Sequence, residues 1–126
     1  MAFVMNCSIG IIGFGRFGRL LARYLSPDSH VRVHDPGVRP EAISSAGAEP
    51  AAIGDVCRSD IVILAVPISH LQGLLSAIRP HLQPESLVVD VCSVKEQPVR
   101  WMQELLPETV EILGTPSYMS PEQAAG

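Results

Sequence analysis

Ser8-Ile9-Gly10-Ile11-Ile12-Gly13-Phe14-Gly15-Arg16-Phe17-Gly18 decides the fold. Its first five residues are a short apolar run, the mark of a buried strand. The run ends in Gly-x-Gly-x-x-Gly at Gly13, Gly15 and Gly18. From Arg16 to Leu25, Phe17, Leu20, Leu21 and Tyr24 recur at helical spacing, and Ser26-Pro27-Asp28 stops that helix. A strand, a glycine turn and a helix in this order are the setting in which such glycines bind a dinucleotide. Gly13 makes the tight turn, Gly15 lets the backbone approach a pyrophosphate, and Gly18 lets the helix pack closely on the strand. The helix N-terminus offers free N–H groups and a partial positive charge, to which Arg16 adds its own. Phe14 and Phe17 complete the loop. A glycine turn without a ligand is the alternative, and the flanking elements weigh against it.

Outward from this loop, Val31 to Asp35 is a second strand and Pro36-Gly37 a turn. A helix is expected over Pro40–Ala46, with only weak signals up to residue 59. Asp60 to Val66 is the clearest buried strand. Ser69 with Gln72 forms a capping box for a helix running to Pro80. Leu87 to Val91 is another strand, a helix carries Val99, Met102, Leu105 and Leu106 to Pro107, and Val110 to Leu113 is a last short strand. Strands apolar on both faces, alternating with helices, imply a parallel sheet with helices on both sides, a doubly wound α/β domain of Rossmann type. The 126 residues make one domain, and no internal repeat or second domain is visible.

Bulk properties narrow the function. The net charge is −4 and no basic tract exists, so nucleic acid is not the expected partner. The longest apolar run, Ile61 to Pro67, is too short for a bilayer, and the N-terminus lacks the pattern of a signal peptide. Cys7, Cys57 and Cys92 have no metal-ligand spacing and read as reduced thiols of a cytoplasmic protein.

Asp35 closes the second strand where an acid binds the ribose hydroxyls of a dinucleotide and repels the 2′-phosphate of NADP. NAD is therefore the expected cofactor, while Arg32 and Arg39 nearby leave NADP open. The other reading of Asp35 is a cap beside Pro36-Gly37. Ala65-Val66-Pro67 leaves the carboxyl end of the central strand and is expected on the nicotinamide side, although it also suits an ordinary strand-to-helix turn. After the next strand, Ser93 and Glu96 make a second capping box in Cys92-Ser93-Val94-Lys95-Glu96. Pro98 fits the first helical position better than an interior one, which would leave Ser93 and Lys95 in a loop at the mouth of the site. Spacing alone balances capping against catalysis. His70 near the same rim reads as a solvated histidine, because nothing close in sequence orients it as a base. His30, His34 and His81 read as surface residues.

Three stretches carry a family resemblance: Ile9 to Gly18, Asp60 to Pro67, and Asp90-Val91-Cys92-Ser93-Val94-Lys95-Glu96. With Leu105-Leu106-Pro107 and Glu111-Ile112-Leu113-Gly114-Thr115, they resemble the N-terminal half of the prephenate/arogenate dehydrogenases over most of residues 8–115. Many dehydrogenases share the glycine loop, whereas Asp-x-x-Ser-Val-Lys is far more specific. The resemblance implies an oxidative decarboxylation in tyrosine biosynthesis with NAD or NADP, acting on prephenate or arogenate. It also implies that Ser93 is catalytic, contacting substrate and cofactor near the reacting carbon. A non-catalytic dinucleotide-binding module is the competing expectation.

Two departures support that competitor. The family follows Gly-Thr with a catalytic His-Pro, but here Gly114-Thr115 precedes Pro116, which takes the histidine's place. The sequence also ends at Gly126, so the family's helical C-terminal domain is expected to be absent, and with it the family's dimer interface. A homodimer is left open. Gly114 to Gln123 further resembles the end of a Ser/Thr kinase activation segment, but the lysine strand, the catalytic loop and Asp-Phe-Gly are all missing, so no kinase can be built from it.

Overall fold

A computed structural model describes residues 7–91 and 96–114. In chain order its elements are β1 (Ser8–Ile12), α1 (Arg16–Leu25), β2 (His30–His34), α2 (Pro40–Ser45), β3 (Glu49–Pro50), α3 (Ile53–Val56), β4 (Ile61–Leu64), α4 (Ile68–Ile78), a 3₁₀ turn (Arg79–His81), β5 (Leu87–Asp90), α5 (Glu96–Leu105) and β6 (Glu111–Gly114). The strands form one sheet in the order β3-β2-β1-β4-β5-β6, and every pairing is parallel. Parallel neighbours need crossovers, and the helices supply them. The doubly wound expectation therefore holds.

Alternation along the strands divides the core in two. Ile9, Ile11, Val31, Val33 and Ile63 pack with Ala22 of α1 and Ile43 of α2 on one face. On the other, Ile12, Val62, Leu64 and Val88 meet Val56, Leu71, Leu75, Ile78 and Met102 from α3, α4 and α5. The strand order reverses between β1 and β4. The crevice at their carboxyl ends is where open α/β sheets place ligands.

Two local readings need correction. Phe17, Leu20 and Tyr24 do not serve the core: they are 49%, 60% and 79% exposed. The helix instead buries Gly18 and Ala22, with Leu21 and Leu25 partly buried beside them. Small residues let α1 lie close to the sheet, and that closeness turns the bulkier stripe outward. The capping box at Ser69 is also not formed. Pro67 occupies the N-cap position and α4 starts at Ile68, with no side-chain cap. Ser69 is thus already inside the first turn, past the position from which a hydroxyl caps. Among the described residues no helix is long and apolar enough to cross a membrane.

Candidate functional site

Each glycine of the loop has a different neighbourhood. Gly13 has φ +107°, and a Cβ there would run into the Ala65 carbonyl at the end of β4. A Cβ at Gly18 would run into the Gly13 carbonyl, so this position sets the approach of α1 to the loop. At Gly15 a Cβ would meet nothing within 4 Å, and the backbone has an ordinary extended conformation, φ −77° and ψ −159°. The protein's own packing and backbone do not require glycine at 15.

Gly15 is also the N-cap of α1. It contributes no side-chain cap, and the first turn holds no acid. The leading N–H groups of a helix have no intrahelical acceptors, and the helix dipole adds a partial positive charge there. An anion approaching Gly15 finds both. Phe14 is drawn the other way, with its ring 1% exposed in the core and the Arg19 guanidinium 5.5 Å from its centroid.

Asp35 follows β2 and is half-buried. Its Oδ2 accepts the Phe14 N–H at 2.7 Å, and its Oδ1 accepts the Gly37 N–H at 2.9 Å. Gly13 donates its own N–H to the His34 carbonyl at 2.9 Å. The ends of β1 and β2 are thereby tied together beside the open space at Gly15.

A cleft of about 500 Å³ occupies this place. It gathers Gly13, Phe14, Gly15, Asp35, Ala65, Val66 and Pro67 from the expected set. Arg16 and Phe17 lie exposed on the first turn of α1, and Gly18 is buried beneath the loop; none of the three lines the cleft. Ser93 and Pro116 lie outside the described residues, as does Cys92. Asp90 is fully buried at the end of β5.

The cleft also has a wall that sequence reading missed. Ile53 at the start of α3 and Leu74 on α4 give it an apolar side, with Pro36 and the exposed His70 at the rim. His34 is half-buried in the lining, not a surface residue. Its Nδ1 lies 3.1 Å from the Ala51 carbonyl, which can only accept, so Nδ1 is the donor of that bond. No local signal marks Ile53 or Leu74, because only the sheet brings them to Asp35. Among the described residues no cluster of metal-ligating groups exists.

The family model described as the nucleotide-binding domain of prephenate dehydrogenase matches residues 31–123. A chloroplastic arogenate dehydrogenase 1 of Arabidopsis thaliana is 30% identical over 122 residues, covering 93% of this chain and 19% of the relative. A probable NADP(+) prephenate dehydrogenase of Schizosaccharomyces pombe is 31% identical over 124 residues, covering 90% and 28%. The chain therefore spans less than a third of the length of either relative. A solved conserved protein, reported to be similar in structure to 3-hydroxyacid dehydrogenases, superposes with a TM-score of 0.70 at 26% identity, covering 83% of this chain and 41% of that one.

Proposed function

Since the chain belongs to the family of prephenate dehydrogenase nucleotide-binding domains, we propose that its cleft holds NAD and that it forms the cofactor half of an oxidoreductase acting on prephenate or arogenate. The observation that carries this reading is Gly15: space left open above an uncapped helix N-terminus, next to a fixed carboxylate. The pyrophosphate lies over Gly15 and meets the first N–H groups of α1, with Arg16 close by. Asp35 accepts the ribose hydroxyls. Ile53 and Leu74 enclose the adenosine side, since they share the cleft with Asp35 and Pro36, while Val66 and Pro67, past the carboxyl end of the central strand, lead toward the nicotinamide. When bound, the nicotinamide supplies hydride acceptance. The chain's part is to hold it, exclude water from its buried half and, through Ser93, position the substrate. Heat denaturation with and without NADH tests the binding. Ligand at a hundred times its Kd stabilises the folded state by about 2.7 kcal/mol, which raises the midpoint by several degrees. An unmoved midpoint counts against the reading.

A second reading, a non-catalytic nucleotide-binding module, is favoured by Pro116 standing where the family has its histidine. Proline has no side-chain group to take the proton of a substrate hydroxyl as it becomes a carbonyl, and losing such an acid–base group costs about a hundred- to ten-thousand-fold in rate. NADH production by the purified chain with prephenate and with arogenate tests this second reading, and because a cofactor half alone also turns over little, only turnover discriminates. The module reading expects none. Turnover near one per second, an ordinary enzyme rate, refutes it and makes His70, at the rim of the cleft, the first residue to replace.

A further inference from the structure

The Asp35 carboxylate is engaged at both oxygens. The bond to the Gly37 N–H is the local turn that aspartate side chains favour. The bond from the Phe14 N–H is different in kind, because it joins residues 21 apart in sequence and fastens the glycine loop to the turn after β2. The loop has further anchors in the Gly13 N–H on the His34 carbonyl and in the buried Phe14 ring. Of these fastenings, the carboxylate alone is a charged side chain, and Asp35 also lines the cleft.

We propose that Asp35 is a positioning residue for the glycine loop, holding it in the shape that receives the diphosphate whether or not a ribose hydroxyl is bound. The inference rests on the nucleotide reading of the cleft. Each carboxylate oxygen has a second lone pair, so the anion can keep both N–H bonds and still accept ribose hydroxyls. A 2′-phosphate requires the carboxylate to withdraw, since two anions would otherwise meet. An acid with no backbone engagement rotates away at little cost. Asp35 can do so only by leaving the part-buried Phe14 N–H without its acceptor, which is costly, whereas the exposed Gly37 N–H can turn to solvent. Recognition of the ribose and shaping of the phosphate cradle are thus carried by one group. Asparagine cannot replace it, because its single carbonyl oxygen serves one N–H while its NH₂ faces the other.

The test titrates the chain and its Asp35→Asn variant with ADP and with 2′,3′-dideoxy-ADP. The dideoxy compound keeps the diphosphate but offers Asp35 no hydroxyl. Asp35→Asn is expected to weaken the dideoxy compound by about five- to tenfold, because the binding-competent loop becomes a minor population, and to weaken ADP by more. It is also expected to narrow the preference for NADH over NADPH. Without ligand, the Phe14 amide should exchange faster in the variant while the Val62 and Val88 amides in the core stay protected. Asp35→Ala, which removes both acceptors, gives the same pattern and serves if Asn does not fold. Equal affinity of both proteins for dideoxy-ADP, or unchanged Phe14 exchange, overturns the proposal. Failure of the wild-type chain to bind either nucleotide overturns the cofactor reading itself, and the ligand-free exchange then still decides whether Asp35 positions the loop.

Discussion

Gly13 and Gly15 sit two residues apart and respond oppositely to the same substitution. Gly15→Val adds a side chain in open space on a backbone any residue adopts. Its stability should fall by no more than about 1 kcal/mol, the scale of a change at an N-cap, while its cofactor affinity is lost. Gly13→Val forces a β-branched residue to φ +107° and into the Ala65 carbonyl, and the fold itself should fail. Urea unfolding with binding measured on each variant checks the contrast; a Gly15→Val destabilised further would mean that glycine serves packing there. Cys57 gives a second prediction. Burial pushes its thiol from 9.0 up to about 11. Between those values the folded chain keeps a proton that the unfolded chain has released. Stability is therefore whole below about pH 9 and falls as the pH rises through the interval. Cys57→Val should remove that part of the alkaline slope. At neutral pH half-buried Cys7 should react with a thiol reagent well before buried Cys57; equal native-state rates would contradict the burial.

At the scale of the element, α1 shows how a pattern can be right in period and wrong in direction. Phe17, Leu20 and Tyr24 have helical spacing, and the helix spans Arg16–Leu25 as expected, yet Gly18 and Ala22 make the close contact. Leu20→Lys should change stability by less than about 0.5 kcal/mol. Ala22→Leu, which overpacks a fully buried position, should cost about 1–3 kcal/mol. Urea midpoints of the two variants decide, and the reverse ranking would turn the helix over. The same reasoning explains what was legible. Strands β1, β4, β5 and β6 carry their signal in apolar runs and β2 in its alternating Val31 and Val33, and the glycine loop and Asp35 announce themselves by residue chemistry. Strand β3 has two residues and α3 four, too few to show any period. Tertiary partners hold them, as where Arg32 pairs with Glu49 in the sheet and Ala51 donates to the Val33 carbonyl. The apolar wall at Ile53 and Leu74 was hidden for that reason, and the half-buried place of His34 follows from its bond to Ala51.

For the molecule as a whole, the strand order matters most, because its reversal between β1 and β4 opens the crevice that the glycine loop, Asp35 and the β4–α4 turn share. Every part of the proposed site depends on that one topological feature: the uncapped N-terminus of α1, the anchored carboxylate, and the apolar wall from α3 and α4. A helix terminus alone contributes at most about 2 kcal/mol toward an anion, so useful affinity requires the whole cleft to engage one extended ligand. NAD(H) has the charges and the apolar surface to do so. Calorimetric titration of the 126-residue chain with NADH, repeated on Gly15→Val, tests this most directly. The account predicts saturable one-to-one binding to the wild-type chain and none to the folded variant; no heat of binding with the wild-type chain, or equal binding by both, would contradict it.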